Sequence, residues 1–583
     1  MIRVVDFRKA IIAGVASAAA MEVVLRGFAF AGVPLLDLAR EMGLAAVSHG
    51  HIVGVFAGFA AHAFVGVMWA LFYAYFLWSR LKLPPPLQGL VFAVIPAVIA
   101  LFIFYPQLTL MQRDEDEVHV SIAMLIGTIG VREVAGIVLS QAVYGLVLGS
   151  LYRKPVGYPV GDRPRIPRRK VQPKRRDGKR PTGCGFMFST GIECSYPTIE
   201  HGHWRRDELD SCRHYEWWPE DFELAREIGV THLRYGPPLH LVFEGPGKYD
   251  WSLIDQPMAD LERYGPEPIV DLCHFGLPDW LGNFQNEDMV KALPEYAGAF
   301  AERYPWVRFY TPVNEMYVCA RKSTLDGQWN EQERSQKAFV NAVFNLAGAS
   351  VGMTDAILKR RQDAIFVNSE SSEFSQPCCP DPEVQRIAEL VNEQRFLALD
   401  LIYAHNMSDG MRGYLRENGV TDEMLSHFSH REVPRRSILG LDYYEWNEHL
   451  IDRHGNALSL GELFGWYTIA MQYYRRYQMT MMHTETNRSD ASKASQWLWR
   501  QWHNIQLAQK NGVPIVGFTW YSLTDQIDWS IGMAEPLGIV FPVGLFDLNR
   551  DPREVGLSYR HLIDMYRDEP DFRECQALKE LMH

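Results

Sequence analysis

The chain has 583 residues, too long for one ordinary domain, and a formal net charge of -12. That acidic balance argues against a nucleic-acid partner. The averages hide a split: residues 1–152 are nearly all apolar, residues 181–583 hold most of the charge, tryptophan and histidine, and a basic bridge separates them.

In chain order, four apolar stretches come first, at about 10–33, 51–78, 87–111 and 120–152. Each meets the length of about 20 residues that spans a bilayer. The first follows Arg8-Lys9 but runs well past Ala20, so it reads as a retained span and not as a signal peptide. Lysine and arginine precede span one (Arg3, Arg8, Lys9), lie between spans two and three (Arg80, Lys82), and crowd the bridge after span four. The other two loops are acidic or mixed. Four spans therefore put every basic segment on one side, with both termini and the C-terminal part expected in the cytoplasm, as for an integral inner-membrane protein. Charges within the spans need partners. Glu22 and Arg26 are spaced to pair along one helix face; His62 lies mid-span, and Arg132-Glu133 fall in the over-long last stretch. Their role, a polar pocket or intramembrane pairing that holds the bundle, stays open at this point. The bridge, residues 153–180, is rich in proline and arginine and reads as an extended, self-repelling linker near anionic lipid.

From residue 181 strand-like and helix-like segments alternate. Strand candidates end near Thr190, Tyr235, His274, Glu315, Glu370, Tyr444, Glu485 and Trp520, with helical patterns such as Trp218–Ile228, Met289–Tyr304, Ser335–Arg361, Leu463–Tyr477 and Ala494–Asn511 between them. Eight such units imply an α/β chain whose residues 181–583 form a (β/α)8 TIM barrel, preceded by an all-α four-span domain over residues 1–152. Strand ends of a barrel converge on one face, where active sites sit. Two carboxylates end such runs: Glu315 in Thr311-Pro312-Val313-Asn314-Glu315, and Glu485 in His483-Thr484-Glu485-Thr486-Asn487. Two facing carboxylates are what cleavage of a glycosidic bond requires.

These motifs carry a family resemblance. His274-Phe275-Gly276-Leu277-Pro278-Asp279-Trp280-Leu281, Thr311 to Glu315, Asp442-Tyr443-Tyr444, Thr484 to Asn487 and Ser522-Leu523-Thr524-Asp525 through Trp529 resemble, in order, five segments of the family 1 glycoside hydrolases, the retaining β-glycosidases. The resemblance spans most of residues 183–570. It implies Glu315 as acid/base and Glu485 as nucleophile. It further implies that Asn314 meets a sugar 2-hydroxyl, Arg234 and Tyr444 attend Glu485, His274 binds a sugar hydroxyl, and Trp529 stacks on a pyranose ring. The pattern also departs from the family. The strand-one glutamine is missing, with Glu193 the nearest substitute. Asp528 stands for a glutamate, Tyr521 for a tryptophan with Trp520 adjacent, Asp442 for an asparagine and Met316 for a proline. Thr486 is inserted before Asn487. The acidic pair Glu193 and Asp528 would favour a hydroxyl-rich or amine-bearing glycone and repel an acidic one.

The expectation is a membrane-anchored retaining β-glycosidase or transglycosylase acting on a glycolipid or lipid-linked sugar. The alternative is a non-catalytic carbohydrate-binding or sensing membrane protein. Partners are the carbohydrate or glycolipid and membrane lipid, with the oligomeric state left open. No cofactor or metal is expected: His49-Gly50-His51 and His201-Gly202-His203 lack partner ligands, and no phosphate loop is visible. All eight cysteines lie in the C-terminal part without CxxC or zinc spacing, and read as buried free thiols.

Overall fold

The computed structural model describes residues 4–32, 51–78, 83–104, 131–152, 154, 156–164, 166, 185–429, 436–573 and 575–582. The chain divides into two compact units: residues 1–155 with 537–539, and residues 156–536 with 540–583.

The first unit is helical. Its helices are α1 (Phe7–Phe30), α2 (His51–Phe72), α3 (Pro85–Ile99) and α4 (Val131–Leu151). Single π-helical turns, Tyr73–Leu77 and Ala100–Phe104, extend α2 and α3. Four stretches are long and apolar enough to cross a membrane: Phe7–Phe30, Phe56–Leu77, Pro85–Ile103 and Val134–Leu151. The last begins beyond Arg132-Glu133, so that pair lies in the first turn of α4 and not within the apolar run. Residues 105–130, which hold the rest of the expected third and fourth stretches, lie outside the described residues.

Small residues set the helix contacts. A Cβ on Gly89 would meet the Gly145 carbonyl oxygen at 2.0 Å, and one on Gly149 would meet the Pro85 carbonyl oxygen at 2.2 Å. The backbones of α3 and α4 thus touch, as in helix pairs packed without a hydrophobic driving force. Large side chains such as Phe30, Phe56, Phe64 and Val94 face outward. Glu22 and His62 are buried and meet across α1 and α2 at 2.5 Å, with Arg26 at 3.7 Å from Glu22. Glu22, Arg26 and His62 are therefore paired within this unit.

The second unit is a closed barrel of eight parallel strands in sequential order. The strands are β1 (Met187–Gly191), β2 (His232–Tyr235), β3 (Glu267–Asp271), β4 (Phe309–Thr311), β5 (Ile365–Ser371), β6 (Ser437–Asp442), β7 (Met481–Glu485) and β8 (Ile515–Trp520). Helices α5 (His214–Ile228), α6 (Asp255–Tyr264), α7 (Met289–Arg303), α8 (Gln336–Leu358), α9 (Pro382–Ile402), α10 (Gly465–Tyr477), α11 (Ala491–Lys510) and α12 (Glu554–Tyr566) follow them in turn. Most strands are buried along their whole length, as parallel strands covered on both faces must be. Met187, Ile269, Phe309, Ile365, Val367, Ile438, Met482 and Val516 fill the barrel interior, and Cys575 and Leu578 of the C-terminal segment pack with them. Helix starts carry their own signals: Ser335, Asp381 and Asp490 accept backbone N–H groups of the first turns of α8, α9 and α11.

Part of the expected linker belongs to this unit. Tyr158–Pro159 pairs antiparallel with Trp204–Arg205. The Tyr158 hydroxyl donates to Asp207 at 2.8 Å, and Arg163 pairs with Glu244 and Asp250. Arg163 of the basic stretch thus meets acidic side chains of this unit, which composition alone does not reveal. Residues 167–180 lie outside the described residues.

Candidate active site

A cavity of about 530 Å³ opens at the C-terminal ends of the strands. Glu193, His274, Glu315, Tyr444, Glu485, Tyr521 and Trp529 line it, all of them residues that the sequence singled out.

Glu485 ends β7 and is fixed by two donors. Arg234 from β2 donates Nη1–H to its Oε1, and the Tyr444 hydroxyl donates to its Oε2 at 2.6 Å. Arg234 is the hub beneath the cavity. Its Nη2 donates to Asn314 Oδ1 at 2.7 Å and to Asp271 Oδ2 at 3.1 Å. Burial pulls the Arg234 guanidinium down, but the carboxylates of Glu485 and Asp271 more than offset this, so the cation persists. Asp271 also holds His274 through Nδ1 at 2.8 Å, and Asn314 Nδ2 lies 3.4 Å from His274 Nε2. Each of these side chains is locked by another, as a precise site requires.

Glu315 stands four residues beyond the end of β4, in the left-handed region at φ 41°, and opens the helix Met316–Thr324. Such a backbone costs about 1–2 kcal/mol in a non-glycine residue. The Glu315 N–H donates to the Ser369 carbonyl at 3.0 Å, which holds the turn. Burial pushes its carboxyl well above the usual range, and Asp442, Glu485 and Glu370 add to the rise. Asp442 is itself fully buried, accepts Ser369 Oγ–H at 2.6 Å, and is raised by burial and by Glu485. Burial raises Glu370 to about 8. One carboxylate paired with a cation thus shares the cavity with one whose carboxyl is raised by burial and by neighbouring carboxylates. This is the asymmetry that two-carboxylate chemistry exploits.

The cavity wall differs from the expected sugar floor at two positions, Asp528 and Trp520. Glu193 lines the cavity, and its partner is Gln526, whose Nε2–H donates to it at 2.8 Å. Asp528, expected beside Glu193, is fully buried and turned to Arg206 at 2.9 Å, and is not among the lining residues. Trp520 is also not among them: it is buried at the end of β8 and donates to the Val543 carbonyl at 2.9 Å. The acidic pair is thus reduced to one carboxylate with an amide beside it. Gln526 and Trp446 lie in the cavity wall without having been singled out. Trp446 stacks on Tyr444 with centroids 4.9 Å apart and is 38% exposed. A nearby aromatic doublet, Tyr444 and Trp446, was the available signal for the latter.

Arg206 serves Asp528, the Met533 and Glu535 carbonyls, and Glu208 at 3.7 Å. Replacing it with methionine takes the cation away from two buried carboxylates. The expected loss is about 3–5 kcal/mol, read as a lower denaturant midpoint.

Donor atoms of Cys194, Asp271 and His274 lie within 4.8 Å of one another. Asp271 already has the Arg234 cation and the His274 ring, so the cluster serves the site as a hydrogen-bonded scaffold.

The comparisons agree with this geometry. The model of the family described as glycosyl hydrolase family 1 matches residues 195–449. Beta-glucosidase A of Thermotoga maritima is 23% identical over 402 residues, 60% of this chain and 86% of that protein. A beta-galactosidase of Saccharolobus solfataricus is 24% identical over 318 residues, 48% of this chain and 63% of that protein. The solved beta-glucosidase from Thermotoga maritima in complex with deoxynojirimycin has a TM-score of 0.55 at 18% identity, covering 65% of this chain and 98% of that one. The C-terminal unit resembles the family 1 glycoside hydrolases, and the comparisons support a glycoside hydrolase.

Proposed function

We propose that the protein is a membrane-anchored retaining β-glycosidase or transglycosylase acting on a glycolipid or lipid-linked sugar, with Glu485 as nucleophile and Glu315 as acid/base. The observation that carries the chemistry is the clamp of Arg234 and Tyr444 on Glu485, in the same cavity as a buried Glu315. In the first step a Glu485 oxygen attacks the anomeric carbon, and the glycosidic bond breaks as Glu315 gives its proton to the leaving oxygen. In the second step Glu315, now ionised, takes a proton from water or an acceptor hydroxyl, whose oxygen displaces Glu485. Arg234 keeps the leaving carboxylate stable. Asn314 is oriented by Arg234 toward a role at the sugar 2-hydroxyl. His274, Glu193 with Gln526, Tyr521 and Trp529 form the glycone floor.

The membrane part of the proposal rests on the four apolar helices and the placement of basic residues. The domain division is a four-helix membrane domain, a basic linker and the barrel. Few residues tether the barrel: the last apolar helix ends at Leu151 and the second unit begins at Val156. Exposed Trp446 in the cavity wall also suits an apolar aglycone. Both termini and the barrel are cytoplasmic in this reading.

Two measurements test it. A reporter active only outside the cytoplasm gives no signal when fused after Arg180, whereas a signal there overturns the topology. For the full chain in vesicles, kcat/KM on a bilayer-embedded glycoside exceeds that on soluble cellobiose. A preference for cellobiose overturns the lipid assignment.

A further inference from the structure

Two thiols stand apart from the chemistry described so far. Cys378 and Cys379 follow the strand Phe374–Pro377 and precede α9, and their sulfurs are 3.5 Å apart. Cys378 is exposed and Cys379 half-buried, contrary to the expectation of buried thiols, whereas Cys194, Cys212, Cys273, Cys319 and Cys575 are buried. Cys184 lies outside the described residues.

The pair is built unequally. The Asp381 backbone N–H and the Cys378 thiol hold the Cys379 thiol below its usual range, and Arg453 adds to the effect. The same contact with Cys379 raises Cys378. Cys379 lies two residues before Asp381, the N-cap of the 21-residue helix α9, whose N-terminal dipole favours negative charge nearby. A thiol whose proton is held less tightly than usual therefore has a second thiol in contact with it.

We propose that Cys378 and Cys379 close to a reversible vicinal disulfide by exchange with a small-molecule disulfide, and that closure acts on the wall of the carbohydrate cavity. The Cys379 thiolate attacks one sulfur of the small disulfide, and the other sulfur leaves as a thiolate. Cys378 then loses its proton to solvent and attacks Cys379 sulfur, which expels the second small thiolate. Two protein thiols are oxidised, and one disulfide is reduced to two thiols. Adjacent Cα atoms across a trans peptide stand about 3.8 Å apart, below the about 4.4–6.8 Å usual for disulfides. The bond is thus strained and readily reopened, which suits a reversible modification and not a structural crosslink.

The path to the cavity is short. Closure must bring the sulfurs to about 2.05 Å. Cys379 precedes Pro380, which confines it to extended backbone, so the adjustment falls on the Cys378 side. There the Cys378 N–H donates to the Ile451 carbonyl at 2.9 Å, continuing the pairing of Phe374–Pro377 with Glu448–Ile451. At the other end of these two strands Glu373 and His449 line the cavity, 3.5 Å from each other.

The test uses the full-length protein in glutathione buffers of rising oxidised fraction, quenched in acid, alkylated and read by peptide mass. Expected is joint loss of both alkylatable thiols on the peptide holding Cys378 and Cys379, two hydrogens lighter and restored by dithiothreitol. C378S instead ends as a glutathione adduct on Cys379, since its resolving thiol is gone. KM on a soluble aryl glycoside rises severalfold on oxidation of the wild type and stays unchanged in C379S. A glutathione adduct as the end product in the wild type, or no oxidation of the pair, overturns the site. An unchanged KM in the fully oxidised wild type overturns the coupling. The mass readout needs no turnover, so it stands apart from the fate of the glycosidase assignment.

Discussion

Glu485→Ala lowers kcat/KM by at least about 10⁴-fold, with the fold retained, because no other group can bond the anomeric carbon in that position. Every contact on Glu485 leads to this expectation. Arg234 and Tyr444 each hold one oxygen, so the carboxylate is aimed before substrate arrives. Circular dichroism and the denaturant midpoint should remain near those of the wild type, since Arg234 keeps Asp271 and Asn314 as partners. Residual turnover within tenfold of the wild type would remove Glu485 from the nucleophile's role.

Glu315→Ala costs about 10²–10⁴-fold on a substrate with a poor leaving group. It costs far less on an aryl glycoside whose leaving group needs no proton, and azide restores part of the second step. The pH profile carries a further expectation. The acid form of Glu315 is required, and its carboxyl is raised by burial, by Asp442, by Glu485 and by Glu370. Wild-type activity is therefore present below this raised value and falls as pH rises through it. In the alanine variant that alkaline limb disappears. An unchanged alkaline limb together with no azide rescue would remove the acid/base assignment.

Both carboxylates were legible because each closes a short apolar run with a polar motif. The strands were legible for the same reason. The ends expected at Tyr235, Glu485 and Trp520 coincide with those of β2, β7 and β8. The expected ends at His274 and Glu315 overshoot β3 and β4 by three and four residues, judged from ends at Asp271 and Thr311. In both places the chain continues buried after the ladder stops. Pro312 offers no N–H to continue the ladder, and Glu315 turns left-handed.

The rewritten sugar floor was not legible in detail. Asp528 faces Arg206, 322 residues away, and Gln526 faces Glu193, 333 residues away. Only the folded barrel joins the loops that hold them, so a residue-by-residue reading assigned the second floor position to Asp528 and passed over Gln526. The docking of Tyr158–Pro159 on Trp204–Arg205 escaped notice for a related reason: a two-residue strand has no periodicity to detect. In the first unit, composition pointed to the spans. The glycine contacts of α3 and α4 depend on which faces meet, which hydropathy does not encode.

A retaining reaction passes through a covalent glycosyl-enzyme intermediate on Glu485, and a mechanism-based fluorosugar traps it. A panel of 2-deoxy-2-fluoro glycosides with activated leaving groups is incubated with the full-length protein, and peptides are read by mass spectrometry. The expected result is one sugar per active site, attached to the side chain of Glu485, with loss of turnover matching the extent of labelling. A label carried by Glu315 or by another residue, or full turnover of the same glycosides with no covalent adduct, would contradict it.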